Sequence, residues 1–472
     1  MLMSVEHEIP AVPIDGTDGV LPEVFESLWS SLELEGWGRE NRFVVSRAPP
    51  SFNINAKKPE QVLTTDTGPT VEIAPSPAES VGEIENQLLG LRRLILPKLL
   101  ANGVALLGSG IHPFLGTSEE EYLCFRTPRG AYDYAVNKTH GRGWDHRAIL
   151  NIAAMQEVVD IPINYAPTIL NVMHRLAGIF VFLFRNDPDY QDVAGGRLSV
   201  RPFSWREQVA RGRFPEDRHK IGLPESEIST WCSYLRLLWE MNPMFMLGTK
   251  SNGLVYVPEH PTFARFILNA PDVGWRAHRM NTAEEVLIAP EMDHVRNTDW
   301  SYMGLARLRL FWREETKLSE VVAAYLTQDE KTIATFMEEN LEKVLIENRS
   351  SATPPPGSEM CSLALIVGLL ENIDAVEIFV KAYSYDFWLA MASAAEFVPF
   401  DSSVQTVYIP ELAKLVLAFA RDGLVHRGLG EEVYLENLEN RISCKQSHSE
   451  LMLKLANERG IDAVVESLRY AG

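Results

Sequence analysis

The sequence predicts an α+β protein with its sheet in the first two thirds and helices in the last third. Three observations predict it. Short runs with period-two alternation recur through residues 1–315. Amphipathic runs with helical spacing stand between them. Beyond residue 316 the helical pattern is nearly unbroken. The expected division is a sheet-bearing portion at 1–315 and a helical portion at 316–472 packed on it as one integrated domain.

The first element is the strand Ser-Val-Glu-His-Glu-Ile-Pro at 4–10. Alternation turns Val5, His7 and Ile9 to one face, and Glu6 and Glu8 to the other, roughly 7 Å apart. Residues 21–33 carry apolar positions at helical spacing. "NRFVVSRAP" and "QVLTTDTGPTVEIAP" read as strands broken by Gly and Pro. Ser80 and Glu83 form a capping box before a helix that Pro97 ends. Residues 103–114 read as a buried strand leaving through a Gly-rich turn. A strand at 149–163 is followed by the helix 167–184. "LARLRLFWRE" at 305–314 alternates strictly as a core strand. "RSSATPPPGS" at 349–358 is expected as a surface loop, because its three prolines cannot donate to a ladder.

Composition excludes several classes. A net charge of −20 with no basic stripe argues against nucleic-acid binding. The four cysteines are scattered without a CxxC, which fits neither a disulfide framework nor a zinc site. The longest apolar run, 176–184, is too short to span a bilayer, and no signal peptide is read. The reading is a soluble, cytoplasmic protein. The Asn-Arg-Ser at 348–350 matches a glycosylation sequon by chance.

Oxygen ligands gather on the polar faces of three strands. Glu6 and Glu8 lie on the first. Asp66 and Glu72 flank a Gly-Pro turn, with Glu72 opposite Val71 and Ile73. Gln156 and Asp160 share a face of the third. Oxygen-only sets on strands suit Mg²⁺ or Mn²⁺, and a simple solvated face explains the same pattern. Arg307, Arg309 and Arg313 share a face with Phe311, and Arg201 follows a short strand after two glycines. Arginine clamps carboxylate or phosphate through its planar fork, or forms structural ion pairs. Acidic faces, a Gly-Pro turn and strand arginines together suggest metal-assisted phosphoryl transfer, without a Walker A or kinase glycine motif.

These segments resemble the plant and proteobacterial type of glutamate–cysteine ligase. "EHE" at 6–8 is similar to the family's first strand. Asp66 and Glu72 match its acidic residue, Gly turn and later Glu. "GSGIHPF" and "QEVVD" follow, the latter without the family's Asn. "FRNDPDYQDVAGGRLSVRPFSW" at 184–205 resembles the family's Asn-x-Pro, Gly-x-Leu-Ser-x-Arg and a Trp four residues on. "NPMFM" and "GLVHRGLGEEVYLENLE" complete the order along the chain.

The resemblance implies a glutamine-synthetase-like fold, a curved and mainly antiparallel sheet forming an active-site funnel inside helices. It implies ATP as co-substrate, Mg²⁺ or Mn²⁺, and activation of the γ-carboxylate of glutamate as an acyl phosphate that the amine of cysteine displaces. By correspondence Glu6, Glu8, Glu72, Asp66 and Gln156 would be metal ligands, Arg201 and Trp205 substrate-binding, Arg309 ATP-binding and Arg313 catalytic. The family's Glu-x-Arg triplet, matched to Phe311-Trp312-Arg313, lacks its Glu. Two alternatives stay open: another acid or amine substrate, or a ligase-like binding protein without turnover. His7 is expected as a packed histidine, His112 as an exposed turn residue, and "AYSYDFWLAM" at 382–391 as helix core.

Overall fold

The computed structural model describes residues 1–14, 22–41, 44–47, 61–65, 68–114, 134–139, 141–145, 151–192, 195–209, 211–243, 247–249, 253–280 and 284–471. Strand β1 (Met3–Pro13) opens the chain, followed by helix α1 (Pro22–Leu34). Strands β2 (Gly38–Asn41), β3 (Val44–Arg47), β4 (Gln61–Thr65) and β5 (Thr70–Ala74) lead to helix α2 (Val81–Leu100). Next come β6 (Val104–Leu106), β7 (Met155–Ile161) and helix α3 (Ala166–Phe184). Strands β8 (Ile221–Gly222), β9 (Leu247–Thr249), β10 (Gly253–Tyr256), β11 (Trp275–Arg279), β12 (Glu285–Ile288) and β13 (Met303–Gly304) precede β14 (Ala306–Trp312) and β15 (Leu341–Asn348). Helices α4 (Cys361–Glu371), α5 (Tyr385–Ala394) and α6 (Ile409–Arg427) dominate the last part.

The central sheet runs β14-β15-β7-β1-β5-β4-β3-β2, with β6 on the far end of β1. Its pairings are antiparallel. β9 to β12 form a separate antiparallel sheet, and β8 pairs in parallel with β13. The expected α+β class is therefore the observed one. The sheet does not stop at residue 315, however. β15 stands between β14 and β7, so the residues after 316 supply one of its inner strands.

One face of the sheet is apolar and covered. Val5, His7, Ile9, Leu308 and Ile346 are buried there, as alternation requires. Helix α3 packs behind β14, and His174 Nε2 meets the Ala306 carbonyl at 3.0 Å. The apolar segment Ile163–Phe184 is longer than its longest uninterrupted run and passes the length and hydropathy test for a membrane span, but it lies inside the protein. Its apolar character is that of a core helix. Helices α4 and α6 cross closely. A Cβ on Gly423 would meet the Gly368 carbonyl oxygen at 1.9 Å, so only a residue without a side chain fits.

Three local expectations need correction. Helix α2 continues past Pro97 to Leu100, and its end closes when Ala101 N–H donates to the Pro97 carbonyl at 3.0 Å. A proline in the last turn removes only one intrahelical bond. His112 is buried, not exposed. Its Nε2 lies 3.2 Å from the Ala11 carbonyl, and its Nδ1 accepts from Phe114 N–H. The segment after β15 is also inside: residues 349–354 are buried. Arg349 N–H donates to Leu305, Thr353 N–H to Ala153, and Ser351 O accepts from Met155 N–H. With their polar groups paired, the residues before the prolines can run under the structure. Gly108 closes that contact, since a Cβ there would fall 2.6 Å from Pro356 Cδ.

Candidate active site

Register brings the polar residues of five strands onto one face. Glu8 stands opposite Glu72 across β1–β5, and Glu6 opposite Gln156 across β1–β7. Glu347 of β15 lies beside Val158 of β7 and beside Arg307 of β14. In an antiparallel pair, directly opposed residues share a face. Glu6, Glu8, Glu72, Gln156, Glu347, Arg307 and Arg309 therefore form one surface.

Hydrogen bonds connect most of it. Glu8 Oε2 accepts from Ala154 N–H at 2.7 Å, and its Oε1 from Gln156 Nε2 at 2.8 Å. Arg349 Nη1 donates to Gln156 Oε1 and, at 2.7 Å, to Glu347 Oε1. Arg307 holds both oxygens of Glu347, at 2.9 and 3.1 Å. Arg309 donates from Nε to Glu347 and from Nη2 to Glu6 Oε1 at 3.1 Å. Burial alone would raise the Glu347 carboxyl, but Arg307, Arg309 and Arg349 outweigh it and hold it well below the usual carboxylate range. The cation that reconciles Glu6 with its neighbours is thus the guanidinium of Arg309.

Arg201 approaches from the side. Its backbone N–H donates to Asp187 Oδ2 at 2.7 Å, and Ser199 Oγ donates to the same carboxyl. The segment before it makes a single bridge, Asp187 to Ser199, rather than the expected short strand. Arg201 begins a helical turn that continues as a π-helix over Ser204–Gln208. Such wide turns are frequent at functional sites. Burial brings the Arg201 guanidinium down to about 10, with Arg349 acting the same way and Glu8 opposing. Its Nη1 donates to the Arg349 carbonyl, which ties it to the sheet.

Beside this junction opens a cavity of about 500 Å³. Buried Arg201 and Arg349 line it, together with Trp205, Arg206, Arg218, Ile221 and Leu223, Met303 and Leu305, and Leu389 and Glu396. Sequence-predicted Arg201 and Trp205 thus line one cavity, and Glu6, Glu8, Gln156 and Arg309 join one network. Glu72 shares their face, half-buried. Asp66 lies outside the described residues. Arg313 is set apart: the register breaks between Phe311 and Trp312, β14 ends there, and Arg313 is exposed beyond it.

Glu347 and Arg349 were missed by sequence reasoning. They form a Glu-x-Arg triplet, Glu347-Asn348-Arg349, one strand away from the place where Phe311-Trp312-Arg313 was matched. The signal was present as a Glu-x-Arg at the end of an apolar alternation, Val344 and Ile346. A helical reading of the region hid it. Asn348 of the sequon is buried and donates to Glu157 Oε2 at 2.6 Å, so the chance reading of that match fits its surroundings.

The oxygens of this face suit a hard divalent cation, and Glu8 and Glu72 stand side by side. Magnesium commonly takes one or two carboxylates and completes its shell with water and phosphate oxygens. Among the described residues no three His, Cys, Asp or Glu side chains converge as a ready cage. Glu6 is engaged by Arg309, and Gln156 by Arg349. Glu8 is engaged as well, by Ala154 N–H and Gln156 Nε2, so an ion at that carboxylate would share it with those donors.

No family model and no curated protein sequence matches the chain. In structure it is similar to glutamate–cysteine ligase from Francisella tularensis in complex with AMP. The TM-score is 0.51 at 11% identity, over 99% of this chain and 87% of that one. It is also similar to a bifunctional glutathione synthetase from Pasteurella multocida, with a TM-score of 0.46, 11% identity and coverage of 99% and 51%. A third is the complex between prokaryotic ubiquitin-like protein Pup and its ligase PafA, with a TM-score of 0.37, 11% identity and coverage of 99% and 66%. The chain spans about half the length of the Pasteurella protein. The likeness to the Francisella enzyme shows a shared fold, a mainly antiparallel sheet with helices around it.

Proposed function

We propose that the protein is an ATP-dependent ligase that joins a carboxylate to an amine, with γ-glutamylcysteine formation as the reaction the resemblance implies. The observation that carries this reading is the continuous set Glu8–Gln156–Arg349–Glu347–Arg307–Arg309–Glu6 on one sheet face, next to a cavity floored by a buried arginine. A carboxylate attacking a polyphosphate brings like charges together, and fixed cations in a partly buried site lower that barrier.

In this reading a substrate carboxylate oxygen attacks the terminal phosphorus of ATP and ADP leaves. The amine nitrogen then attacks the acyl carbon, phosphate leaves, and the amide nitrogen loses a proton to solvent. Arg201 holds a substrate carboxylate beside Trp205. Arg309 faces the phosphates, with Arg307 and Arg349 fixed around Glu347 to keep it oriented. Glu8 and Glu72 would hold Mg²⁺ or Mn²⁺, with Glu6, Gln156 and Asp66 as further candidates; such an ion, when bound, neutralises phosphate oxygens. Arg313 is the candidate cation for the transferred phosphoryl group. The earlier ground for a protein without turnover was Phe311 where a Glu was expected. Glu347, two residues before Arg349, offers a Glu-x-Arg in the neighbouring strand, which supports the reading with turnover.

The test is phosphate release from ATP with Mg²⁺ and glutamate, adding each amino acid in turn, with product identified by mass spectrometry. Glu8→Gln and Glu72→Gln should each abolish release in a folded protein. Wild-type turnover in both would remove them from the reaction.

A further inference from the structure

We propose that the cavity beside Arg349 takes a substrate larger than cysteine, with an apolar body between two anionic ends. This rests on the ligase reading and names a substrate class for the same site. Its volume of about 500 Å³ falls in the range of roughly 300–1,000 Å³ of pockets that enclose drug-sized ligands, well beyond a small amino acid.

The charges of the lining are sorted. Glu207 and Glu396 both pair with Arg206, at 3.3 and 2.7 Å, and Glu225 meets His219 at 3.1 Å. Arg349 is held by Glu347 and Gln156. Two arginines of the lining, Arg201 and Arg218, form no side-chain ion pair among the described residues. Arg201 is only 5% exposed, and among the described residues its one side-chain bond is from Nη1 to the Arg349 carbonyl. Arg218 is exposed, and among the described residues its one side-chain bond is from Nε to His219 Nε2 at 3.3 Å. The walls include Trp205, Ile221, Leu223, Met303 and Leu389.

A buried guanidinium with N–H groups to give is stabilised by a carboxylate that forms charge-assisted bonds with it. The apolar walls favour a hydrophobic body, because covering them removes apolar surface from water. Arg218 then selects a second anionic group. Cysteine would engage Arg201 but leave the walls and Arg218 unmet.

The experiment is calorimetric binding of L-cysteine, L-phenylalanine and 4-carboxy-L-phenylalanine to the full chain, without nucleotide. ATP binding with Mg²⁺ is measured on the same samples. 4-Carboxyphenylalanine should bind about tenfold or more tighter than either of the others, as one further charge-assisted bond would give. Arg218→Ala, at an exposed position that leaves the fold intact, should erase the margin over phenylalanine. Leu223→Trp, which fills the cavity, should weaken both aromatic ligands. The proposal is overturned if cysteine binds as tightly as 4-carboxyphenylalanine, or if Arg218→Ala leaves the margin unchanged. Failure to bind ATP while the aromatic pair behaves as expected would sink the ligase reading and leave the cavity assignment standing.

Discussion

Gln156 and Glu157 are neighbours in β7 and face opposite sides of the sheet. On the front, Gln156 links Glu8 to Arg349 within a network whose arginines hold the Glu347 carboxyl charged. On the back, burial pushes the Glu157 carboxyl up to about 7, with hydrogen bonds from Asn348 and Ser351 offsetting only part of it. Burial likewise takes His174 down to about 4, against a smaller opposing effect of its bond to the Ala306 carbonyl. Glu347 and Glu157 are both fully buried, yet they are held in opposite protonation tendencies. Burial by itself favours the neutral form, and only nearby opposite charge reverses that. The front face supplies three guanidinium groups, and the back supplies amides and hydroxyls.

The comparison breaks most sharply at Glu347. Replacing it by Gln leaves Arg307, Arg309 and Arg349 without their shared carboxylate. The expected loss is about 3–5 kcal/mol of stability, measured by urea unfolding at neutral pH. A loss below about 1 kcal/mol would show that solvent or other partners, rather than this carboxylate, neutralise the arginines.

The back face gives the next effects, and their signs oppose each other. The folded state keeps the Glu157 proton between 4.5 and about 7 while the unfolded chain has released it. Its contribution is therefore full below 4.5 and lost as pH rises to about 7, an effect of about 3 kcal/mol. Glu157→Gln should flatten that part of the stability profile. An unchanged slope would mean that Glu157 is charged in the fold.

His174 acts the other way. Its folded value is depressed from 6.5 to about 4, so its contribution is full above 6.5 and falls as pH drops through that window. By about pH 5 the loss should reach about 2 kcal/mol. In His174→Gln the acid side of the unfolding profile should become correspondingly shallower, and a profile superimposable on wild type would refute the assignment.

Arg313→Ala is the smallest expected change in stability, within about 0.5 kcal/mol by thermal or urea unfolding, because the residue is exposed past the end of β14. The same variant sharpens the functional side. Lost turnover with unchanged stability would support a phosphoryl contact, and full turnover would transfer that role to the arginines around Glu347.

Much of the fold was legible in local pattern. Alternation in β1, β5 and β7 put Glu6, Glu8, Glu72 and Gln156 on polar faces, and it buried Val5, His7 and Ile9. Apolar spacing marked α1, α2 and α3. The errors fell where pattern and environment part. His112 looked like a turn residue because the glycines before it imply a turn, but the turn packs inward. The 349–358 segment looked exposed because prolines reject ladders, yet its first residues find backbone partners at Leu305, Ala153 and Met155. β15 was hidden between helical stretches, where a short apolar run is ambiguous between helix and strand.

The sequence by itself determined which side chains share a face within each strand, because the period of two is a local property of extended backbone. It also supplied the acidic and arginine residues of the polar face. Only the tertiary structure decided which strands are neighbours. Arg309 meets Glu6 across 303 positions, and Arg349 meets Gln156 across 193. Such pairings are chosen by packing and by the closure of long loops, and no local periodicity records them. The cation beside Glu6 is therefore an arginine that the opening strand could not reveal.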